Sequence, residues 1–192
     1  ASIDNGDIMF YTEDEAIAPS IEGERIAGVL PTDNTDATTV GVFFRDTSAS
    51  KIDYYMNSTI DVTGTCEAGT TAFAVSAGSH LDLTQAVADG LPDYVVSGTW
   101  GAEKFRTEVF VYGPPGTTFQ TATVDGADAQ PLRTDIVDLG RPVAAFEVFL
   151  KPGESASVNA VFAGAGAFEP IEVRSTPMVR STTTTVAGST CN

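Results

Sequence analysis

The stretch IDYYMNSTIDVT, residues 52–63, alternates apolar and polar side chains and decides the fold class. Its apolar positions share one face: Ile52, Tyr54, Met56, Ile60 and Val62. Tyr55 and the polar residues share the other face, and only Ser58 departs from the alternation. A period of two is typical of a β-strand with one buried side. The segment therefore predicts a strand that packs against an apolar layer.

Short runs of the same kind recur along the chain, separated by Gly, Pro and Asp. We predict further strands at residues 40–45, 70–77, 105–112, 119–124, 132–137, 143–150, 157–162 and 171–174. Many short strands at this spacing are typical of an all-β sandwich. The sequence therefore predicts a mainly β fold, an Ig-like antiparallel β-sandwich with a short N-terminal helical remnant.

Turn residues separate these strands. Asp125-Gly126 predicts a hairpin, and the run GPPG at residues 113–116 ends a strand because proline cannot continue a ladder. The run KPGE at residues 151–154 is another turn, and the segments on both sides alternate well. We therefore expect residues 143–150 and 157–162 to pair with each other as a hairpin.

The ends of the chain differ from this pattern. Residues 1–39 are expected to be a strand and helix remnant of a preceding domain, and residues 40–192 the sandwich domain. Thr12 and Glu15 have capping-box spacing, so a helix is predicted to begin there and to give short turns ending near Gly28. Residues 181–185 are only Ser and Thr, and we expect them to be extended or mobile until Cys191 pins them.

Charge and composition exclude several functional classes. The 192 residues include 26 Asp and Glu against 10 Lys and Arg, a formal net charge of −16, which disfavours nucleic acid and anionic lipid as partners. No run of about 18 apolar residues is present, so no membrane-spanning segment is expected. The chain starts at Ala1 without an initiator Met or signal-like stretch, which suggests a processed or trimmed ectodomain.

Two cysteines, Cys66 and Cys191, are the only ones in the chain. A disulfide is favoured over free thiols, and it would place the folded protein in an oxidising, extracytoplasmic compartment. No His or second Cys lies near either one at metal-ligand spacing, which argues against zinc and iron–sulfur sites.

Motifs for catalysis and cofactors are missing from the sequence. His80 is the only histidine, and without a nucleophile motif we interpret it as a loop or strand-end residue. The runs DNGD at residues 4–7 and DNTD at residues 33–36 carry oxygen ligands but lack the length of a calcium loop, so we interpret them as turns. No catalytic residue, cofactor or metal site is predicted.

Three aromatic residues are candidates for an interaction surface: Tyr55, Tyr94 and Trp100. Tyr94 and Trp100 fall near predicted loops, where aromatic side chains serve protein or glycan contacts. Tyr55 falls on the polar face of its strand beside Asp53 and Asn57. Packing in the core is the preferred alternative for Tyr94 and Trp100.

Several short motifs occur together in a distinctive order: SKIDYY at 50–55, GLPDYV at 90–95, VYGPPG at 111–116, DG at 125–126, GRPV at 140–143 and RSTP at 174–177. With them the chain resembles the C-terminal part of the bacterial family called domain of unknown function 4012, common in actinobacterial envelope and polysaccharide-associated proteins. The start also looks like the end of that family's main N-terminal domain, from IMFY at 8–11 to GVLP at 28–31. The resemblance implies an exported location and supports the pairing of Cys66 with Cys191, but it brings no catalytic residues.

We therefore expect an exported cell-envelope structural or interaction module without its own catalytic site. Its expected partners are a preceding domain of the same protein and an envelope protein or glycan. One alternative is an accessory domain of an enzyme or transferase that acts on envelope polysaccharide. Another is a calcium-stabilised adhesin module.

Overall fold

In a computed structural model, residues 3, 6–133, 135–166 and 168–191 are described, and their strands form two sheets around one apolar core. The strands are β1 (Thr38–Asp46), β2 (Met56–Glu67), β3 (Thr70–Leu81), β4 (Phe105–Tyr112), β5 (Thr118–Val124), β6 (Ala127–Asp128), β7 (Ile136–Asp138), β8 (Arg141–Leu150), β9 (Ser155–Ala165), β10 (Ile171–Ser175) and β11 (Thr183–Gly188). The helices are α1 (Ala18–Ile21) and α2 (Gln85–Asp89), and two 3-10 turns lie at Arg25–Ala27 and Ile52–Tyr55.

The strand order defines the two sheets. Sheet A has the order β10-β1-β4-β8-β7, and sheet B has the order β11-β2-β3-β9-β5-β6. The β1–β10 and β2–β11 ladders are parallel, and the other ladders are antiparallel. The predicted mainly β sandwich is confirmed, with two parallel ladders in place of a wholly antiparallel arrangement.

The core lies between the sheets and follows the alternation along each strand. On β2, Met56, Ser58, Ile60 and Val62 are buried, while the residues between them face outward. Fully buried phenylalanines from both sheets fill the centre, among them Phe73, Phe105 and Phe162. Burying one such side chain contributes about 1.5 to 3 kcal/mol, so the repeated alternation accounts for the stacking of the two sheets.

The predicted strand at residues 52–63 begins later than expected. Ile52–Tyr55 is a 3-10 turn, and β2 starts at Met56. A 3-10 turn has three residues per turn, so Ile52 and Tyr55 share a side. Tyr55 accordingly packs against the core, whereas Tyr54 is 58% exposed. The predicted faces of the two tyrosines are therefore wrong and are reversed in the fold.

The hairpin predicted for β8 and β9 is also wrong. The turn is present, because the Glu154 N–H donates to the Lys151 carbonyl at 2.9 Å. However, β8 pairs with β4 and β7 in sheet A, while β9 pairs with β3 and β5 in sheet B. The turn thus carries the chain from one sheet to the other. Both strands bury an alternating apolar face in the same core, and a hairpin would show the same alternation.

The hairpin predicted at Asp125-Gly126 and the strand predicted at 132–137 have different outcomes. Asp125-Gly126 forms the expected hairpin, with Val124 opposite Ala127. The strand predicted at 132–137 is reduced to β7, because Asp135 has a φ of 59°, which breaks an extended strand before Ile136.

The N-terminal segment lies along β10. Its helix starts at Ala18 rather than Thr12, because the Thr12 hydroxyl accepts from Asp14 N–H two residues on and forms a turn instead of a capping box. The short turns end at Gly28 as predicted, with Gly28 at a φ of 71°. Arg25 forms an ion pair with Glu172 of β10, and Leu30 is buried. The separate domain proposed for residues 1–39 stays a prediction, and β1 already begins at Thr38.

Arg141 is the largest fully buried side chain described, and its guanidinium joins distant segments. It donates to the carbonyl oxygens of Pro31, Thr39 and Gly113. Burial, and secondarily the charge of Arg174, lowers the pKa of Arg141 to about 10. The residue therefore fixes the loop before β1 against β8.

The Ser/Thr-rich end of the chain is extended, as expected, and it forms β11 beside β2. Cys66 of β2 and Cys191 are joined by a disulfide, with Cα atoms 5.0 Å apart across a sequence separation of 125. The predicted bond is thus present, and it ties the end of the chain to the middle.

Candidate functional site

Four loops leave the same end of the sandwich and form a surface that we call the loop pole. They comprise residues 47–55, 82–104, 151–154 and 176–182. The strand pairings place them together: Asp46 lies opposite Thr107, Met56 opposite Leu81, and Phe105 opposite Leu150. Loops at one end of a sandwich are a common place for binding sites, because the sheets hold them rigidly.

The predicted interaction residues Tyr55, Tyr94 and Trp100 all belong to these loops. A hydrogen bond from Lys51 N–H to the Val95 carbonyl, 2.9 Å long, holds the first two loops together. Tyr94 is 75% exposed, so the core-packing alternative does not apply to it. Tyr55 is half-buried, and the exposed Tyr54 packs edge-on against it with ring centroids 5.1 Å apart. Tyr54 therefore joins the candidate surface, although the alternation placed it in the core.

Trp100 faces another direction, because it packs on the outer side of sheet A. The Ser97 hydroxyl accepts from the N–H groups of Thr99 and Trp100 and fixes a tight turn. The indole then meets the ring of Phe149 edge-on at 5.5 Å between centroids. Trp100 is thus beside the tyrosines in the loop set but not part of one continuous aromatic patch with them.

Two cations cover this indole. Lys104 Nζ lies 5.1 Å from the ring centroids of both Trp100 and Phe149, and the Arg106 guanidinium lies 5.6 Å from Trp100. Such cation–π contacts contribute about 0.5 to 1 kcal/mol at exposed sites. They occupy ring faces that a ligand would otherwise contact, so the tyrosines are the better candidates for binding.

A shallow groove of about 430 Å³ opens beside Tyr55. Its polar lining residues are His80, Asp82, Thr84 and Arg180. Arg180 donates to Asp82 at 2.5 Å and to the Asn57 side-chain oxygen at 3.2 Å. The hydrogen bond and positive charge of Arg180 hold the pKa of Asp82 below its ordinary value. The groove therefore combines an aromatic wall with a fixed acceptor and donor.

Most of the residues that line this groove were not predicted from the sequence as site residues. Residues 55, 80–84 and 180 meet because β2, β3 and β11 are adjacent in sheet B. The only local signal in the sequence was Arg180, a cation directly before the Ser/Thr-only residues 181–185.

His80 lies at the edge of the groove and is a strand-end histidine, as interpreted from the sequence. Its Nδ1 and the Ser155 hydroxyl are 2.9 Å apart, and the two residues are neighbours across β3 and β9. Within the described part of the chain, no carboxylate is hydrogen-bonded to His80. The pair is therefore a cross-strand hydrogen bond between β3 and β9.

The two calcium-like runs lie apart. Asn34 of the second run donates to the Pro115 carbonyl at 3.0 Å, at the opposite end of the sandwich, whereas Asp7 of the first run lies beside residues 176–182 of the loop pole. In the second run, the Asp33 carboxylate accepts from Thr35 N–H at 2.9 Å, and this bond with that from the Thr35 hydroxyl lowers the pKa of Asp33. That geometry is a solvated turn. In the first run, Asp4 and Asn5 lie outside the described residues. No three His, Cys, Asp or Glu side chains among the described residues gather closely enough to hold a metal ion.

Comparison of this chain with known proteins adds no relative. Among the helices described, none has the length and apolarity needed to cross a bilayer. No protein-family model, curated protein or solved structure gives a significant match to this chain.

Proposed function

We propose that this chain is an exported, non-catalytic interaction module of the cell envelope that binds a glycan at its loop pole. The observation that carries the proposal is the pair of exposed tyrosines, Tyr54 and Tyr94, in adjoining loops. Tyr54 packs on Tyr55, and Tyr55 lines the groove. Exposed aromatic side chains held by hydrogen-bonded loops are rarely needed for folding, and they offer large contact area with little loss of conformational entropy.

The chemistry of the groove favours a sugar. The aromatic wall suits the apolar face of a pyranose ring, and Asp82, Arg180 and Thr84 supply acceptors and donors for its hydroxyl groups. Because Arg180 already fixes Asp82, the pair is preorganised and loses little entropy when it accepts a ligand.

Export is supported by the Cys66–Cys191 disulfide, since such bonds persist in oxidising compartments. The resemblance to an envelope-associated family favours the same location. An accessory domain of a polysaccharide-acting enzyme would use the same groove to hold its substrate. That alternative differs from the proposal only in that a neighbouring domain would carry an active site. The calcium-stabilised adhesin is supported by no described cluster of ligands, and chelation in a melting experiment tests it separately.

The experiment measures binding of isolated envelope polysaccharides to the purified chain by calorimetry or biolayer interferometry. We expect Tyr94→Ala and Tyr54→Ala each to weaken binding about tenfold, equivalent to about 1.4 kcal/mol. Asp82→Asn should also weaken it, because the fixed acceptor becomes an amide.

Tyr11→Ala is the matched control, because Tyr11 is 82% exposed and belongs to none of the four loops of the loop pole. It should bind as the unaltered chain does. Equal loss in the control and the pole variants would contradict a site at the pole. Binding to a protein from envelope extracts, with no response to any glycan, would replace the glycan by a protein partner, and turnover of polysaccharide by the isolated chain would overturn the non-catalytic role.

A further inference from the structure

The edges of the two sheets are protected unequally. In the described part of the chain, β10 and β7 end sheet A, and β11 and β6 end sheet B. β6 has two residues and β7 has three, so neither offers a long template for pairing. β10 carries Glu172 and Arg174, and the N-terminal segment lies against it through a 3.1 Å hydrogen bond from Arg174 to the Val29 carbonyl. Short or charged edges resist pairing with another strand.

β11 has none of these protections. Its six residues, Thr183–Gly188, are all exposed and include neither a charged residue nor a proline. Residues 181–191 as a whole carry no charge. A groove of about 340 Å³ lies beside the start of β11, bordered by Asp7 and Arg25 of the N-terminal segment on one side and by Thr184 on the other. The outer main-chain groups of β11 are therefore accessible to a further strand.

The strand is also held in place at both ends. The hydroxyls of Ser58 and Thr182 lie 2.6 Å apart at its start. At its other end, Ser189 N–H donates to the Gly64 carbonyl at 3.0 Å, followed by the bond between Cys66 and Cys191. A fixed, extended edge loses little conformational entropy when another strand pairs with it.

Val186 shows that the core is open at this edge. It pairs with Val62, whose side chain is buried, so Val186 is on the inner face of sheet B. Its side chain is nevertheless 44% exposed, because no further strand covers it. An added strand would remove this apolar surface from water.

We propose that β11 pairs antiparallel with β11 of a second copy of this chain and forms a two-fold symmetric dimer. The register that we propose puts Val186 opposite Val186 of the partner subunit, and it is one of those that keep the inner faces aligned. The absence of charge on β11 favours a second copy of the chain as the partner. A cationic partner would find no carboxylate on β11, whereas the chain itself supplies an uncharged strand of matching length. With a net charge of −16 on each copy, an uncharged edge is also where two copies approach with least repulsion.

Sedimentation velocity and light scattering test the dimer, with 20.0 kDa for the monomer and twice that mass expected for the associated form. The dimer fraction should rise with protein concentration and on going from about 0.05 M to about 0.5 M NaCl, because salt screens the repulsion between acidic copies. A mass that stays at the monomer value up to about 0.5 mM protein in both salts overturns the proposal.

Val186→Lys places like charges at the two-fold axis and should weaken association at least about 30-fold. Val137→Lys is the control, since Val137 is 70% exposed on β7, the edge of the other sheet, and should not change association. Equal association of Val186→Lys and the unaltered chain, or equal loss in both variants, contradicts pairing through β11.

Val186→Cys gives a second test that does not depend on the folding of the lysine variant. Under mild oxidation it should form a covalent dimer that a reducing agent separates, and Val137→Cys should not. A β11 that instead cross-links to another envelope protein, with no self-linked product, would exclude a second copy as the occupant.

Discussion

Arg141 donates a hydrogen bond from Nε to the carbonyl oxygen of Pro31 at 2.8 Å, although 110 positions separate the two residues. One terminal nitrogen, Nη1, donates to the carbonyls of Thr39 and Gly113, and the other, Nη2, donates to Pro31 together with Nε. A buried cation is costly unless its donors are used, and here backbone carbonyls accept from them. Arg141 thus links the loop before β1, the end of β4 and the start of β8.

Replacing Arg141 should therefore destabilise the fold strongly. Arg141→Lys keeps the charge but leaves carbonyl groups without donors, and we expect a loss of about 3 kcal/mol in the free energy of unfolding. Urea unfolding followed by circular dichroism measures it. Arg133→Lys, at an exposed position, is the matched control and should change stability by less than about 0.5 kcal/mol. Similar midpoints for the two variants would refute the role given to Arg141.

Asp46 should make stability depend on pH. Burial favours a higher pKa for this carboxyl, but hydrogen bonds from Ser48 and Ser50 outweigh burial and lower the pKa. A lowered folded-state pKa stabilises the fold above the unfolded value, about 3.9, and this contribution is lost as pH falls through the folded value. We expect Asp46→Asn to cost about 1 kcal/mol at pH 7 and to lose its effect in strong acid.

The control for this titration is Asp61→Asn, at an exposed position on β2. Unfolding curves of the unaltered chain, Asp46→Asn and Asp61→Asn between neutral and strongly acidic pH give the comparison. A difference between Asp46→Asn and the unaltered chain that stays constant across this range would show that the carboxylate charge is not responsible.

Substitutions of Gly188 and Gly126 by alanine form a matched pair. Both have positive φ, 86° and 80° respectively. An added Cβ at Gly188 would collide with the backbone of Gly64, whereas at Gly126 nothing lies within 4 Å. Gly126→Ala should cost about 1 kcal/mol from backbone strain alone, and Gly188→Ala at least about 2 kcal/mol more. Equal unfolding free energies would mean that β11 moves away from β2 without penalty.

The disulfide should stabilise the whole domain. Closing a loop of this length constrains the unfolded chain by about 4 to 5 kcal/mol on the entropy model, so Cys66→Ser with Cys191→Ser should lower the unfolding free energy by about 2 to 5 kcal/mol. Hydrogen exchange should show the largest loss of protection in β11. The unaltered chain under reducing conditions is the control and should match the double variant, and full protection of β11 in that variant would contradict the expectation.

Most strands were predictable from alternation alone, because each buries one face in a single core. Phe105–Tyr112 has the predicted bounds, and β2, β3 and β9 differ only at their ends. Alternation does not tell which strands are neighbours. A turn within one sheet and a turn between sheets leave the same pattern, and for this reason the partners of β8 and β9 were wrong.

The candidate site was predictable only in part. Tyr94 lies in a loop, as predicted, but it is exposed, whereas packing in the core was the preferred interpretation. Tyr54 is exposed and Tyr55 packs on the core, the reverse of the prediction, because residues 52–55 form a 3-10 turn instead of the start of the strand. No residue in the run indicates that change. The pairing of Asp82 with Arg180 depends on the adjacency of β2, β3 and β11, and sequence spacing does not report such adjacency.

The parallel ladders β1–β10 and β2–β11 set the order in which the domain is completed. β1 and β2 emerge first from a ribosome or a secretion channel, yet each receives its second neighbour only when the last strands have followed. Until then both carry an open edge, and non-local pairing of this kind is slow to form. A protein built this way exposes unpaired strand edges, which favour aggregation, until its last two strands are in place.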